Sequence, residues 1–163
     1  MSVVINGTGS ISGLSNVGGI ASAQAGSIIQ TVNATTSSSV STTGTTYVTT
    51  GFSASITPQF STSKILVMLR VPIAIVTATG EAVKLQVWRG GSSIFTIAPY
   101  AMFISGSTIG QENAYTCVDY LDSPATTSST SYTIYFASAN NLGSIYFCGN
   151  NNPATITLLE IAA

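Results

Sequence analysis

The sequence has no histidine and very little charge: four Lys or Arg and five Asp or Glu make up 6% of 163 residues. That shortage removes whole classes of chemistry. A Ser-His-Asp or Cys-His nucleophile needs an imidazole within the chain. A structural zinc site needs four thiolate or imidazole ligands, and only Cys117 and Cys148 are available. The basic residues Lys64, Arg70, Lys84 and Arg89 are outnumbered, and the pI is near 4.9. Nucleic acid is therefore not an expected partner, because its phosphates call for a surplus of cations. No apolar run approaches the ~20 residues of a membrane helix, so no membrane partner is expected. The stretch Met1–Gly7 lacks the basic and apolar regions of a secretion signal. The chain is thus expected to be made and folded in a cytosol, with Cys117 and Cys148 as unpaired, buried, small apolar groups. The sequons Asn6-Gly7-Thr8 and Asn33-Ala34-Thr35 carry no weight without secretion.

The remaining reactive groups are poorly arranged. Glycoside hydrolysis needs two carboxyls converging on one bond. Asp119 and Asp122 are the close acidic pair, and an offset of three on a strand sends them to opposite faces, so a solvated strand end is expected. Ser63-Lys64 fails as a nucleophile pair for the same reason: neighbours on a strand point apart. Gly7, Gly9 and Gly13 do not lie between a strand and a helix, so no phosphate loop is read there. Gly149-Asn150-Asn151-Asn152 has oxygens for calcium but no carboxylate, and before Pro153 it reads as a polar turn. No catalytic, cofactor-binding or metal residues are expected, and no cofactor.

What the chain does have is apolar content, 45%, enough for one core. Residues 1–26 are Gly, Ser, Asn and Ala with isolated Ile, Leu and Val, and read as an extended anchoring arm. Two placements stand open for it: on a partner chain or on its own domain. Residues 27–163 read as one antiparallel β-sandwich, all-β and jelly-roll-like, since short strands follow one another with turn chemistry between them and without a helical period. Strands are predicted at Ile28–Val32, Tyr47–Thr57, 83–88, 93–98, 114–121, 132–137, 145–148 and 155–161. Gly90-Gly91 predicts a tight turn. Thr35–Thr46 reads as a polar connection or weak edge strand.

One run, 65–76, is apolar on both faces. A sandwich strand buries one face on the opposite sheet, so the second needs another cover. A neighbouring subunit is one cover, which makes Leu66, Met68, Ala74 and Val76 candidate interface residues. A loop of the same chain is the other. Pro72 cannot donate to a ladder and predicts a bend, bulge or edge. Tyr100, Met102 and Phe103 form a candidate exposed contact loop, and Trp88 shares a face with Lys84. Such rings stack on sugars, line interfaces or pack in cores, and the residues alone leave these readings open.

Specific strings add a family. Gly26-Ser27-Ile28-Ile29-Gln30-Thr31-Val32, then Tyr47 to Pro58, Ser63-Lys64-Ile65-Leu66-Val67, Leu121-Asp122-Ser123-Pro124 with Ser131-Tyr132-Thr133-Ile134, and the closing Thr155 to Ala163 occur in that order. Over residues 26–163 they resemble the C-terminal β domains of tail-fibre-like virion proteins of tailed bacteriophages, especially marine and cyanobacterial ones. The resemblance implies a non-enzymatic virion component, assembled in the host cytoplasm, commonly a homotrimer, projecting from the particle and touching the host surface, with a surface glycan as one partner. The arm would join it to other virion proteins of capsid or tail. The chain has no long shaft, so a capsid decoration protein or head fibre is the alternative.

Overall fold

The computed structural model describes residues 24–76, 79–106 and 110–163. The expected arm lies outside the described residues up to residue 23. Ten strands follow: β1 (Ile28–Thr36), β2 (Val40–Thr42), β3 (Val48–Ile56), β4 (Lys64–Val76), β5 (Ala82–Arg89), β6 (Ser92–Phe103), β7 (Gln111–Asp122), β8 (Thr130–Ser138), β9 (Ser144–Phe147) and β10 (Ala154–Ile161), with a 3-10 turn at Gly149–Asn151.

The pairing is nested. The first strand pairs with the tenth, the second with the ninth, the third with the eighth, the fourth with the seventh and the fifth with the sixth, all antiparallel. The chain is in effect one long hairpin whose tip is the two-residue turn Gly90-Gly91 between Arg89 and Ser92. Both glycines have positive φ, 54° and 92°, which this turn needs and which side chains resist. Rolling the hairpin adds β10 and β9 beside β4, and β8 beside β5. Sheet A then carries β1-β10-β4-β7, with β9 and β2 continuing past β10 on the same side of β4; sheet B is β3-β8-β5-β6. That is the jelly-roll sandwich the sequence predicts.

Alternation decides the core. Thr50, Phe52, Ala54 and Ile56 of β3 are buried, with Gly51, Ser53 and Ser55 exposed between them. In β4, Ile65, Val67, Leu69, Val71, Ile73 and Ile75 all turn inward and are buried against sheet B. Phe147 of sheet A lies between Phe52 and Phe136 of sheet B, with ring centroids at 6.1 and 6.4 Å.

Pro72 is at neither a bulge nor an edge strand: it lies within central β4, in register with Tyr115 of β7, and is accommodated by an interruption on the other side of the strand. Along one side of β4, pairing with β10 ends at Arg70 and pairing with β9 begins at Ile73. The Pro72 carbonyl on that side accepts from Cys148 N–H at 2.9 Å. The missing proline N–H thus falls in the gap between two partner strands, where no ladder bond is lost.

Candidate functional site

Three of the five carboxylates are used inside the fold. Glu81, just before β5, is fully buried. Its Oε1 accepts from Ala82 N–H at 2.8 Å, Ser138 Oγ at 2.9 Å and Asn140 N–H at 3.2 Å, and its Oε2 from Leu142 N–H at 2.6 Å and Gly143 N–H at 3.0 Å. Burial alone would raise its pKa, but these donors outweigh it and hold the carboxyl below its ordinary range. Glu160 of β10 is also buried, and takes Gln30 Nε2 at 2.5 Å and Gln59 N–H at 2.7 Å. Its pKa is likewise lowered against the pull of burial.

Asp122 corrects an expectation. Asp119 does face outward, exposed, but Asp122 is buried rather than solvated. Both its oxygens lie 2.7 Å from Arg89 Nη1, and Tyr132 OH donates to Oδ2 at 2.7 Å. Burial and the hydrogen bond to Asp122 push the Tyr132 phenol far above its ordinary value, so it stays protonated. Sequence reasoning missed this because Arg89, at the end of β5 in sheet B, and Asp122, at the end of β7 in sheet A, meet only where the two sheets face each other. Ser63 is buried and Lys64 exposed, and the two do not converge. Among the described residues, no group of three His, Cys, Asp or Glu gathers as for a metal.

The 149–152 stretch forms a tight corner, with Cys148, Asn150 and Asn151 in left-handed conformation. Gly149 lies directly on Ala74: a Cβ there would stand 2.5 Å from Ala74 Cβ. Ala74 is therefore fully buried by its own chain, which corrects its placement in a subunit interface. The Val76 backbone pairs with Gln111 and Ser144, and its side chain lies outside the described residues. The two thiols are unpaired, as expected. Cys148 is buried, which raises its pKa. Cys117 is exposed rather than buried, because it is on the outer side of β7 opposite Arg70.

Two outer faces remain. On sheet A, Leu66 is flanked by Leu121 of β7 and Leu159 of β10, Met68 lies beside it, and Ile161 is paired with Ile28 at the end of β1. Met68 is 38% exposed, Leu121 47% and Ile28 60%. This is an aliphatic patch bordered by charged groups: Lys64 is paired with Ile161, Asp119 with Met68, and the Arg70 guanidinium sits 4.0 Å over the Tyr115 ring. Leu66 and Met68 of the expected interface set belong to it. Leu121 and Ile28 were missed, although strand alternation puts Leu121 out of phase with buried Val118 and Asp122.

On sheet B, the outward side chains of β5 are Lys84, Gln86 and Trp88, alternating with buried Val83, Leu85 and Val87. Trp88 stacks on Tyr135 of β8, centroids 4.2 Å apart and planes at 19°. Lys84 Nζ donates to Thr45 O at 3.0 Å and stands 5.2 Å from the Tyr47 ring. Tyr100 and Phe103 are exposed and stack at 5.9 Å, and they lie within β6 rather than in a separate loop: Phe103 pairs with Ala82 of β5, while Tyr100 falls in the irregularity between Ile97 and Met102, where the register to β5 shifts. Met102 is turned inward and packs partly buried on the core.

No family model and no curated protein matches the sequence. Among solved structures, dimeric latent PorU from Porphyromonas gingivalis is similar at TM-score 0.50 and 12% identity, over 90% of this chain and 14% of that one. A VP2 subviral particle of infectious bursal disease virus is similar at TM-score 0.46 and 17% identity, over 94% of this chain and 42% of the other. The same virus, Gx strain, is similar at TM-score 0.45 and 16% identity, over 84% and 39%. The chain spans about two fifths of the length of the viral chains it matches. The likeness to PorU is one of β-sandwich fold alone.

Proposed function

We propose that the chain is a non-enzymatic structural component of a virion, a β-sandwich knob that assembles as a homotrimer, projects from the particle and touches the host surface. The observation that carries this reading is the aliphatic patch on the outer face of sheet A, where Leu66, Leu121, Leu159 and Ile161 adjoin across three strands with exposed Met68 next along β4. Contiguous exposed apolar surface of this kind marks association sites. The low charge supports it, since a subunit held in an assembly does without the repulsion that keeps monomers apart. The segment resemblance to bacteriophage tail-fibre-like proteins supplies the setting.

Sedimentation of the full chain at micromolar concentration tests it. A trimer is expected, and Leu66→Glu or Leu121→Glu should return it to monomer by burying an unpaired charge. A monomeric parent chain would overturn the assembly. A capsid decoration role uses the same face and differs in location: a density map of the particle would put it on the shell in high copy number rather than at the tail.

A further inference from the structure

The outer face of sheet B differs in kind from that of sheet A. Sheet A offers an aliphatic patch bordered by charged groups, whereas sheet B offers rings set among amides and hydroxyls. Trp88 Nε1–H donates to Gln86 Oε1 at 2.8 Å, and Gln86 Nε2 donates to exposed Thr96 Oγ1 at 3.0 Å. The Trp88–Tyr135 stack is a diagonal cross-strand pair, since Trp88 is opposite Thr133 and Gln86 opposite Tyr135. Stack and hydrogen bonds hold this row before any ligand arrives, so little side-chain freedom remains to be lost on binding.

Charge is muted on this face. The four strands of sheet B contain no Asp or Glu. Its outward lysine, Lys84, is engaged by the Thr45 carbonyl and the Tyr47 ring, and Arg89 turns to Asp122. A polyanion would find no cluster of cations here. A predominantly apolar protein partner would leave the amides and hydroxyls unsatisfied.

We infer that the outer face of sheet B binds a neutral polysaccharide, with the Trp88–Tyr135 pair as the platform and Gln86, Thr96 and Thr133 as hydroxyl contacts. A pyranose ring presents C–H groups on its faces and hydroxyls around its rim. Rings rigidly held match the first, and flanking amide and hydroxyl groups match the second, in the usual combination of apolar lining with a few placed polar groups. An amide nitrogen has two protons, and Gln86 uses one of them on Thr96. A second ring pair, Tyr100 and Phe103, lies at the opposite end of β5, where Phe103 pairs with Ala82, so a chain of several residues is a better match than one sugar. The inference gives a ligand class to the host contact proposed above.

Trp88 is the sole tryptophan of the chain, so its fluorescence reports on this face directly. The full chain is titrated with dextran, mannan and galactan, with polygalacturonate as the anionic comparison, and run in gels containing each polymer. At least one neutral polymer is expected to shift the emission and retard migration. Trp88→Ala should weaken that retardation about tenfold, equivalent to ~1.4 kcal/mol, while circular dichroism stays unchanged. Should Trp88→Ala fail to fold, Gln86→Ala with Thr96→Ala gives the same readout. Binding by none of the neutral polymers, binding by polygalacturonate alone, or unchanged binding by the variants overturns the inference. Because binding is read on the isolated chain, a monomer that still binds separates failure of the assembly from failure of the glycan face.

Discussion

Replacing Glu81 with glutamine should cost this small domain a large part of its stability, although shape and volume hardly change. The carboxylate takes three donors on Oε1 and two on Oε2, four of them backbone N–H groups. Glutamine has one oxygen. With that oxygen placed where Oε1 was, its NH2 points at the N–H groups of Leu142 and Gly143, and two bonds are lost. Hydrogen bonds to a charged group contribute about 1.5–3 kcal/mol each, and part of the loss is recovered because a neutral amide is easier to bury than a carboxylate. A net loss of about 3 kcal/mol follows, against a total stability on the order of 5–15 kcal/mol. Urea unfolding followed by tryptophan emission measures it as a lower midpoint at unchanged slope. Native-state hydrogen exchange should quicken at Asn140, Leu142 and Gly143 more than along β4. A loss under about 1 kcal/mol, or exchange raised uniformly, would refute the view that Glu81 staples the 139–143 segment. The pH dependence has a definite sign. A carboxyl whose folded pKa is lowered stabilises the fold above its unfolded pKa, and that part is lost as pH falls through the folded value. The parent chain should therefore lose stability below the ordinary carboxylate range, and the Glu81→Gln variant should show a shallower fall there.

Three further outcomes follow from the packing. Asp122→Ala leaves the Arg89 guanidinium without its ion-pair partner and the Tyr132 hydroxyl without its acceptor; it should lose roughly 3 kcal/mol in urea unfolding, and Tyr132→Phe about 1. Gly149→Ala puts a methyl 2.5 Å from Ala74 Cβ, so a loss of about 1–3 kcal/mol is expected. Adding Ala74→Gly should recover part of that loss, and a double-mutant cycle with no coupling would contradict the contact. Under native conditions a maleimide reagent should label Cys117 quickly and Cys148 only on unfolding; equal rates would contradict the exposure of the first and the burial of the second.

Much of the sandwich is legible from local pattern. The alternation of 52–57 and 83–88 gives strands, and Gly90-Gly91 gives the hairpin tip. Each is a rule about residues adjacent in sequence. What was not legible depends on register between distant strands. Asp122 reads as a solvated strand end until Arg89 and Tyr132 stand beside it. Ala74 reads as an interface residue until Gly149 covers it. The Trp88–Tyr135 stack exists because β5 and β8 pair with Trp88 opposite Thr133, and one step of slip would put the two rings on opposite faces of the sheet. The apolar outer side of β4 posed the right question, namely what covers it. The answer differs along the strand: the chain's own corner covers Ala74, while Leu66 and Met68 stay open.

Nested pairing also governs the order in which the domain can be completed during synthesis. The tip hairpin needs only neighbouring residues, and each outer pair waits for a segment that emerges progressively later. β1 leaves the ribosome early yet finds its partner only when Ile161 has come to lie against Ile28. Until then Val32 and Ala34, which pack on the core, have no strand beside them and must avoid other nascent chains. A jelly roll closed this way folds from its middle outward. A ribosome stall before β10 would release a chain with half of sheet A unsealed, so translation must run through Ile161 before the fold can close.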